Sequence, residues 1–437
     1  MTAFFIKTQI MDNIEKIYKL YTKAHTVTTD SRNISKDCVF VALKGEHFDG
    51  NDFAMKVAEE GVAACVISDR KSLPKHERLF IVDNSLKCLQ ELANYHRQKL
   101  GTPIIGITGT NGKTTTKELI SAVLSKKYNI IFTQGNFNNQ LGMPLTLLRI
   151  KPETELAVVE MGASHPGDIK ELTDIGEPNY GIITNIGRAH LEGFGGYEGV
   201  IKTKNEMYQH IAAHNGLLFV NKDNQLLMKL AENINKVTYG TGNDADVMGK
   251  IHSANPYLSI EWNGKTIDTQ LVGDYNFENV MAAICVGTYF KVSADDIVEA
   301  LSSYCPTNNR SQVIETGRNR VVMDAYNANP TSMSHAIKNF RNICKDKNLL
   351  ILGDMRELGE ESEKEHKAII ELLKDLNFQL VFLVGSEFAK VAADSLFFRV
   401  KDVDDLIRYI TLNPISGYDI LVKGSNSIHL NKIIDSL

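Results

Sequence analysis

The sequence predicts an α/β protein in three parts. These are a central, doubly wound, mainly parallel sheet carrying a phosphate loop, a C-terminal Rossmann-like α/β domain and a smaller N-terminal α/β domain. Three observations lead there. The chain has 437 residues, enough for about three domains at roughly 150 residues each. Its apolar runs are continuous rather than alternating, as in strands covered by helices on both faces. One order (apolar run, glycine or polar turn, helical pattern) recurs from Pro103 to the C-terminus, as it does in parallel α/β units.

Residues 1–100 mix short β-type runs, Cys38 to Leu43, Ala63 to Ile67 and Leu79 to Val82, with helical patterns. The last of these helices carries Leu86, Leu89, Leu92 and Ala93 at helical spacing. Gly101-Thr102-Pro103 then breaks the chain. Within 101–305, Pro103 to Gly106 feeds a glycine-rich loop, Leu156 to Met161 ends in Glu160-Met161-Gly162, and Tyr180 to Ile186 ends in Thr184-Asn185 and beyond. Polar residues thus gather just after strands, the carboxyl edge where open α/β sheets bind ligands. A second break falls at Ser302 to Thr307. In 306–437 the grammar resumes with Val321 to Met323 before Asp324, Leu349 to Leu352 before Gly353-Asp354, Leu380 to Val384 before Gly385, and Ile420 to Val422 before Lys423-Gly424. No GxGxxG occurs there, so this part is not predicted to bind a dinucleotide.

Composition narrows the partners. The 48 basic and 53 acidic residues give a net charge of −5, which offers no global field for nucleic acid. An anionic substrate must be held by local geometry. The N-terminal run is too short for a secretory signal, and no stretch approaches the roughly 18 apolar residues of a membrane span. Six scattered cysteines without CxxC pairs are expected to be reduced thiols in a cytoplasm. No membrane insertion and a monomer are expected.

The sharpest signal is Ile107-Thr108-Gly109-Thr110-Asn111-Gly112-Lys113-Thr114-Thr115-Thr116. Ile107 stands where the generic GxxxxGK[ST] motif requires glycine, yet the physics of a phosphate loop survives. Gly109 and Gly112 let backbone N–H groups turn inward, and the helix starting near Lys113 aims its positive end at phosphates. Lys113 can reach the β and γ phosphates, and the Thr114 hydroxyl can ligate Mg²⁺. Strand, loop, Lys-Thr and helix follow in the required order, which predicts an NTP site rather than a plain glycine turn.

Gly-Thr-Asn-Gly-Lys-Thr-Thr-Thr at 109–116 resembles the Mur ligase family and its folylpolyglutamate synthetase relatives. Further motifs follow in the family's order over almost the whole chain: Gly135-Asn136-Phe137-Asn138-Asn139, Glu160-Met161-Gly162-Ala163, Thr184-Asn185-Ile186-Gly187-Arg188-Ala189-His190, and Gly273-Asp274-Tyr275-Asn276-Phe277-Glu278-Asn279, with Tyr275 where His is usual. Asp324-Ala325-Tyr326-Asn327-Ala328-Asn329-Pro330 and Leu352-Gly353-Asp354-Met355-Arg356-Glu357-Leu358-Gly359 look like the member that adds D-alanyl-D-alanine.

The resemblance implies an amide ligase that joins D-alanyl-D-alanine to UDP-N-acetylmuramoyl-tripeptide, with ATP and Mg²⁺. A carboxylate is a poor electrophile, so ATP first converts it to an acyl phosphate, which the amine attacks. The chemistry asks mainly for positioning and charge neutralisation. By resemblance Lys113, His190 and Lys204 are catalytic. Gly109, Thr110, Asn111, Gly112, Lys113, Thr114, Thr115, Asn138, Asn139, Asn276, Arg310 and Asp324 bind ATP. Thr114, Glu160, His190 and Lys204 hold metal, the lysine as a CO₂-derived carbamate, since Lys204-Asn205-Glu206-Met207-Tyr208 fits the family's setting for that modification. Ser31, Arg32, Gly45 and Asp49 serve the UDP substrate, and Asn327 and Asn329 the dipeptide. Residues 1–100 are then the UDP-substrate domain, 101–305 the ATP domain, and 306–437 the domain closing on ATP and the dipeptide. Another ligase of the family adding one amino acid, a phosphate-loop small-molecule kinase and a nucleotide-binding switch remain alternatives.

Overall fold

The computed structural model describes residues 13–23, 25–307, 310–345, 347–392 and 397–437. The chain packs as two compact units: Met1–Gly106 with Tyr128–Ala163 and Gly167–Gly181, and Ile107–Lys127 with Ser164–Pro166 and Ile182–Leu437.

In the first unit, Val27–Thr28, Val39–Val41, Cys65–Ser68 and Leu79–Ile81 pair in that order, all parallel. Cys38, Phe40 and Ala42 project to one face, against Ala54, Val57 and Ala58 of the helix Asn51–Glu60. Helix Ser85–Leu100 buries Leu89, Leu92 and Ala93 of the predicted stripe, leaves Leu86 half-buried and buries Cys88 instead. The Asn84 side chain accepts from Lys87 N at its start, and Gly101 in the left-handed conformation ends it, the usual asymmetry of helix caps. The unit also holds the parallel pair Ile130–Phe132 and Leu156–Glu160.

The second unit carries two sheets. One belongs to a nine-stranded sheet in which Lys265–Asp268, Ser259–Trp262, Val247–Ser253, Lys236–Gly240, Leu217–Asn221, Tyr180–Ile183 and Ile104–Thr108 are successive neighbours. Its inner neighbours are parallel, but Val247–Ser253, Ser259–Trp262 and Lys265–Asp268 form an antiparallel meander. The mainly parallel expectation holds without foreseeing this extension. Asn263-Gly264, both at positive φ, makes the tight hairpin turn that an Asn-Gly pair favours.

The C-terminal sheet has the order Gln312–Glu315, Arg320–Asp324, Asp419–Lys423, Asn348–Gly353, Leu380–Val384, Phe398–Val400. All pairs are parallel except the first. Successive residues explain the continuous apolar runs. Val322, Leu350, Leu352, Leu383 and Leu421 enter one core with Met333, Ile337 and Phe340. Val321, Met323, Leu349, Ile351, Phe382, Val384, Ile420 and Val422 enter the other with Leu406 and Ile410. Strand side chains alternate between faces, so a sheet with two covers needs apolar residues at every position. The last strand inserts between two earlier ones, which puts Asp324 in register with Lys423 at the carboxyl edge. No helix among the described residues is long and apolar enough to cross a membrane.

Candidate functional site

The buried strand Ile104–Thr108 leads into the loop, and the helix Lys113–Leu124 leaves it. Gly109 (φ 149°) and Gly112 (φ 79°) both lie in the region that L side chains avoid. A Cβ on Gly109 would overlap Thr184 Oγ1, and one on Gly112 would overlap Asn279 Oδ1. Both glycines are therefore set by close approach as well as by backbone angle.

The loop is clasped by the segment after Tyr180–Ile183. Thr110 N donates to Asn185 O at 2.9 Å, Asn111 N to Asn185 Oδ1 at 2.9 Å, and Thr184 Oγ1 to Asn111 O at 2.6 Å. Gly187 N donates to Thr110 Oγ1 at 2.9 Å. These bonds explain why the strand ends at Ile183 rather than at Ile186, as its apolar run suggests: Thr184–Gly187 leaves the sheet to bind the loop. From the other side, Thr116 Oγ1 donates to Asn279 Oδ1 at 3.0 Å, and Asn279 Nδ2 to Asn276 Oδ1 at 2.9 Å. Asn276 thus reaches the loop helix through Asn279. Lys113 Nζ donates to Gly109 O at 2.8 Å and Thr110 O at 3.1 Å, folded back on its own loop. Thr114 is buried and Thr115 half-buried in the first helical turn.

Lys204 lies on helix Tyr197–Ala213 and is 3 % exposed. Burial, and secondarily the Lys113 ammonium, push its amine well below the ordinary lysine range. Its Nζ sits 5.9 Å from the Phe194 ring centroid, and no acid pairs with it among the described residues. His190 begins the short helix Leu191–Phe194 at φ 51°. Its Nδ1 is 2.5 Å from Glu357 Oε2, and this hydrogen bond holds the Glu357 carboxyl below the ordinary range.

At the C-terminal sheet edge, Lys423 Nζ donates to Asp324 Oδ2 at 2.6 Å and to Asn327 O at 3.3 Å. The Arg310 guanidinium carbon stacks 3.8 Å from the Tyr326 ring centroid, while its buried Nε has no hydrogen-bond partner. Asn327 Oδ1 accepts from Ala328 N at 2.9 Å. Asn329 caps helix Pro330–Ile343 in a capping box, and its Nδ2 donates to Asn111 Oδ1 of the phosphate loop at 2.7 Å. Tyr275, in the usual histidine position, shares a 2.8 Å hydrogen bond with Ser311 Oγ.

Within the first unit, Glu160 is 2 % exposed and accepts from Asn138 Nδ2 at 2.8 Å. Asn139 Oδ1 accepts from Gly142 N at 2.8 Å. Arg32 forms a bidentate pair with Asp30, which holds that carboxylate well below its ordinary range. Ser31 is half-buried beside it. Gly45 N donates to Phe48 O, and Asp49 accepts from Asn51 and from Arg70 Nη2 at 2.9 Å.

The donors suit a Mg²⁺ ion. Among the described residues no three His, Cys, Asp or Glu side chains gather into a cage, and Mg²⁺ seldom uses one, relying on one or two carboxylates, water and substrate phosphates. The Thr114 hydroxyl and, in the first unit, the Glu160 carboxylate are oxygen donors of that kind, whereas Lys204 would offer oxygens only as a carbamate. Tyr326, Asn279 and Glu357 carry no role predicted from the sequence. All three stand inside the motifs named above, but Asn279 meets Thr116 across 163 residues and Glu357 meets His190 from a separate segment.

A glycine phosphate loop at the carboxyl end of a mainly parallel sheet, braced by asparagines from three segments, defines a nucleotide-binding α/β protein of the phosphate-loop class. The chain belongs to the Mur ligase family: models described as the Mur ligase family catalytic domain, the Mur ligase middle domain and the Mur ligase glutamate ligase domain match residues 23–98, 107–287 and 309–426. Among relatives, the UDP-N-acetylmuramoyl-tripeptide--D-alanyl-D-alanine ligase of Bacillus subtilis (strain 168) is 36% identical, covering 95% of this chain and 93% of that protein. The enzyme of the same name from Escherichia coli (strain K12) is 32% identical, covering 94% and 93%. The structure of MurF ligase from Thermotoga maritima in complex with ADP has a TM-score of 0.83 at 28% identity, covering 94% of this chain and 96% of that one. A crystal structure of MurF from Acinetobacter baumannii has a TM-score of 0.82 at 30% identity, covering 94% and 92%.

Proposed function

We propose that this chain is an ATP-dependent ligase that joins D-alanyl-D-alanine to UDP-N-acetylmuramoyl-tripeptide, with release of ADP and phosphate, in peptidoglycan precursor synthesis. The observation that carries this reading is the phosphate loop tied to Asn329 of the Asp324–Pro330 motif, in a chain whose full-length relatives bear that enzyme's name.

Lys113 leaves the carbonyls of Gly109 and Thr110 when phosphate oxygens compete for its ammonium. Backbone N–H groups of the loop and the helix start neutralise charge developing on the transferred phosphoryl group. Arg310, held flat on Tyr326, supplies a second cation, and Asp324 the ribose contact. The carboxylate of the tripeptide attacks the terminal phosphorus, ADP leaves, and the dipeptide amine then displaces phosphate from the acyl carbon. Thr114, Glu160, His190 and Lys204 would hold Mg²⁺, which would supply screening of the phosphate charge. A cationic lysine would oppose it. The neutral Lys204 amine instead adds to CO₂, forming an N–C bond, opening one C=O to an oxyanion and losing a proton to solvent. Residues 1–100 serve the UDP substrate through Ser31, Arg32, Gly45 and Asp49, residues 101–305 serve ATP, and residues 306–437 close over both ATP and the dipeptide, which Asn327 and Asn329 select. The enzyme acts as a cytoplasmic monomer.

Phosphate release measured with UDP-N-acetylmuramoyl-tripeptide tests the reading. Turnover should require D-alanyl-D-alanine and fail with single amino acids. Equal turnover with one amino acid, or a stable phosphorylated product without any amine, would replace the proposal by another ligase of the family or by a kinase. Lys113→Ala should lower kcat/KM by several kcal/mol of transition-state stabilisation, on the order of 3 kcal/mol or more. Arg32→Ala should raise KM for the UDP substrate and leave that for ATP nearly unchanged.

A further inference from the structure

We propose that Glu357 is the positioning residue of the metal-binding imidazole: its hydrogen bond to His190 fixes the ring tautomer that leaves the Nε2 lone pair for a divalent cation. The inference rests on the proposed role of His190 as a ligand and adds a residue to it.

The geometry is specific. His190 Nδ1 lies 2.5 Å from Glu357 Oε2, so in the neutral ring Nδ1–H donates to the carboxylate and the lone pair is left on Nε2. A ring that ligates a metal through one nitrogen commonly donates its other N–H to a carboxylate, which fixes orientation and strengthens the donor nitrogen. Phe194 holds the ring from another side, edge to face at 6.3 Å.

Both ends of the contact sit in costly backbone. His190 has φ 51° and Glu357 φ 63°, values that non-glycine residues rarely adopt. The two segments also meet elsewhere: Arg188 pairs with Glu365 at 3.6 Å, and a Cβ on Gly359 would lie 3.1 Å from Glu192 Cβ. Glu357 belongs to the Asp354–Gly359 motif after the strand Asn348–Gly353. The imidazole ligand is therefore correctly presented only when that motif is seated against residues 188–192, which ties completion of the metal site to the C-terminal sheet.

The full chain labelled with ¹⁵N-histidine, free of nucleotide, reports the tautomer directly. His190 should show a protonated Nδ1 in the wild type. Glu357→Ala should move the proton to Nε2, whereas Glu357→Gln, whose amide oxygen can still accept, should keep it on Nδ1. Mn²⁺ binding in the presence of a non-hydrolysable ATP analogue, followed by electron paramagnetic resonance, should weaken roughly 10- to 100-fold in Glu357→Ala and recover most of that loss in Glu357→Gln. A wild-type tautomer and affinity in Glu357→Ala, or equal damage in both variants, would overturn the positioning role. His190→Ala that binds Mn²⁺ as tightly as wild type would instead remove His190 as a ligand, and the proposal with it.

Discussion

Asn329 Nδ2 donates to Asn111 Oδ1 at 2.7 Å, joining the first turn of helix Pro330–Ile343 to the tip of the phosphate loop. The same side chain caps that helix through Oδ1, which accepts from Ser332 N at 2.9 Å. One amide thus does two jobs with its two ends, and they can be separated. Asn329→Ala loses both, so its stability should fall by about 1 kcal/mol, the usual value of an N-cap, and ADP binding should weaken. Asn329→Asp keeps an oxygen for the cap but cannot donate to Asn111. Its urea midpoint should stay near wild type while ADP binding weakens as in the alanine variant. Calorimetry of ADP binding beside urea unfolding checks this, and an aspartate variant with unimpaired binding would cut the link between cap and loop.

Three glycines with positive φ separate backbone strain from close approach. A Cβ added to Gly101 (φ 66°) would meet nothing within 4 Å, while one at Gly112 (φ 79°) would displace the Asn279 amide that receives Thr116. Gly101→Ala should cost about 1–2 kcal/mol of stability and leave ATP use intact. Gly112→Ala and Gly109→Ala should lose nucleotide binding as well, because Asn279 and Thr184 must move off the loop. Measured ADP affinities that fall equally in all three variants would refute this division.

The strand–loop–helix of the phosphate site was legible because all its determinants are local: an apolar run, two glycines, Lys113 and a helical pattern within a few turns of chain. The C-terminal strands were legible for a related reason, since a sheet covered on both faces imposes an apolar residue at every step. The antiparallel meander from Val247 to Asp268 was less so. Its first strand alternates buried and exposed residues at Val247, Met248 and Gly249 and then turns to solvent, and its clearest signal was the Asn263-Gly264 turn. The asparagine and glutamate contacts around the loop had no local signal. Asn185 meets Asn111 across 74 residues and Asn329 meets it across 218, and such pairings depend on strand order, which periodicity does not encode. Arg310 could be singled out by resemblance, while its stacking on Tyr326 could not.

A pH-dependent element lies behind the Asp354–Gly359 motif. His366 is fully buried; its Nε2 accepts from Met355 N at 3.1 Å and its Nδ1 donates to Ser362 O at 2.7 Å. Burial lowers its pKa from 6.5, against the opposing pull of the Ser362 carbonyl, Asp354 and Glu387, with Arg356 lowering it further. The folded-state value lies below the unfolded one, so between them the unfolded chain binds more protons. The His366 contribution is therefore complete above 6.5 and is lost as pH falls toward the folded-state value. Unfolding free energy should drop between about pH 7 and pH 5, and His366→Gln, which can still accept from Met355, should be less stable at neutral pH but show a flatter decline. Parallel profiles for the two proteins would place the acid sensitivity elsewhere.

Lys204 presents the sharpest conflict between stability and activity. Its amine is buried at 3 % exposure, no acid pairs with it among the described residues, and both burial and Lys113 act against its charge. Keeping a buried amine discharged at neutral pH costs the folded state free energy, and replacing buried polar or ionic groups by apolar ones of similar volume is often neutral or stabilising by about 1 kcal/mol or more. Lys204→Met should therefore unfold at a higher urea concentration than wild type in CO₂-free buffer. The same variant should have no measurable ligase turnover, because methionine can neither capture CO₂ nor offer oxygens to a cation. Lys204→Arg keeps a positive charge but cannot form a carbamate, so it should be as inactive as the methionine variant and less stable than either protein. ¹³C spectra of wild type equilibrated with labelled bicarbonate should show a carbamate carbon absent from both variants. The adduct is acid-labile, so the measurement must be made without denaturation at low pH. An active Lys204→Arg enzyme, or a Lys204→Met variant that is both inactive and destabilised, would mean that the side chain serves packing and not the chemistry.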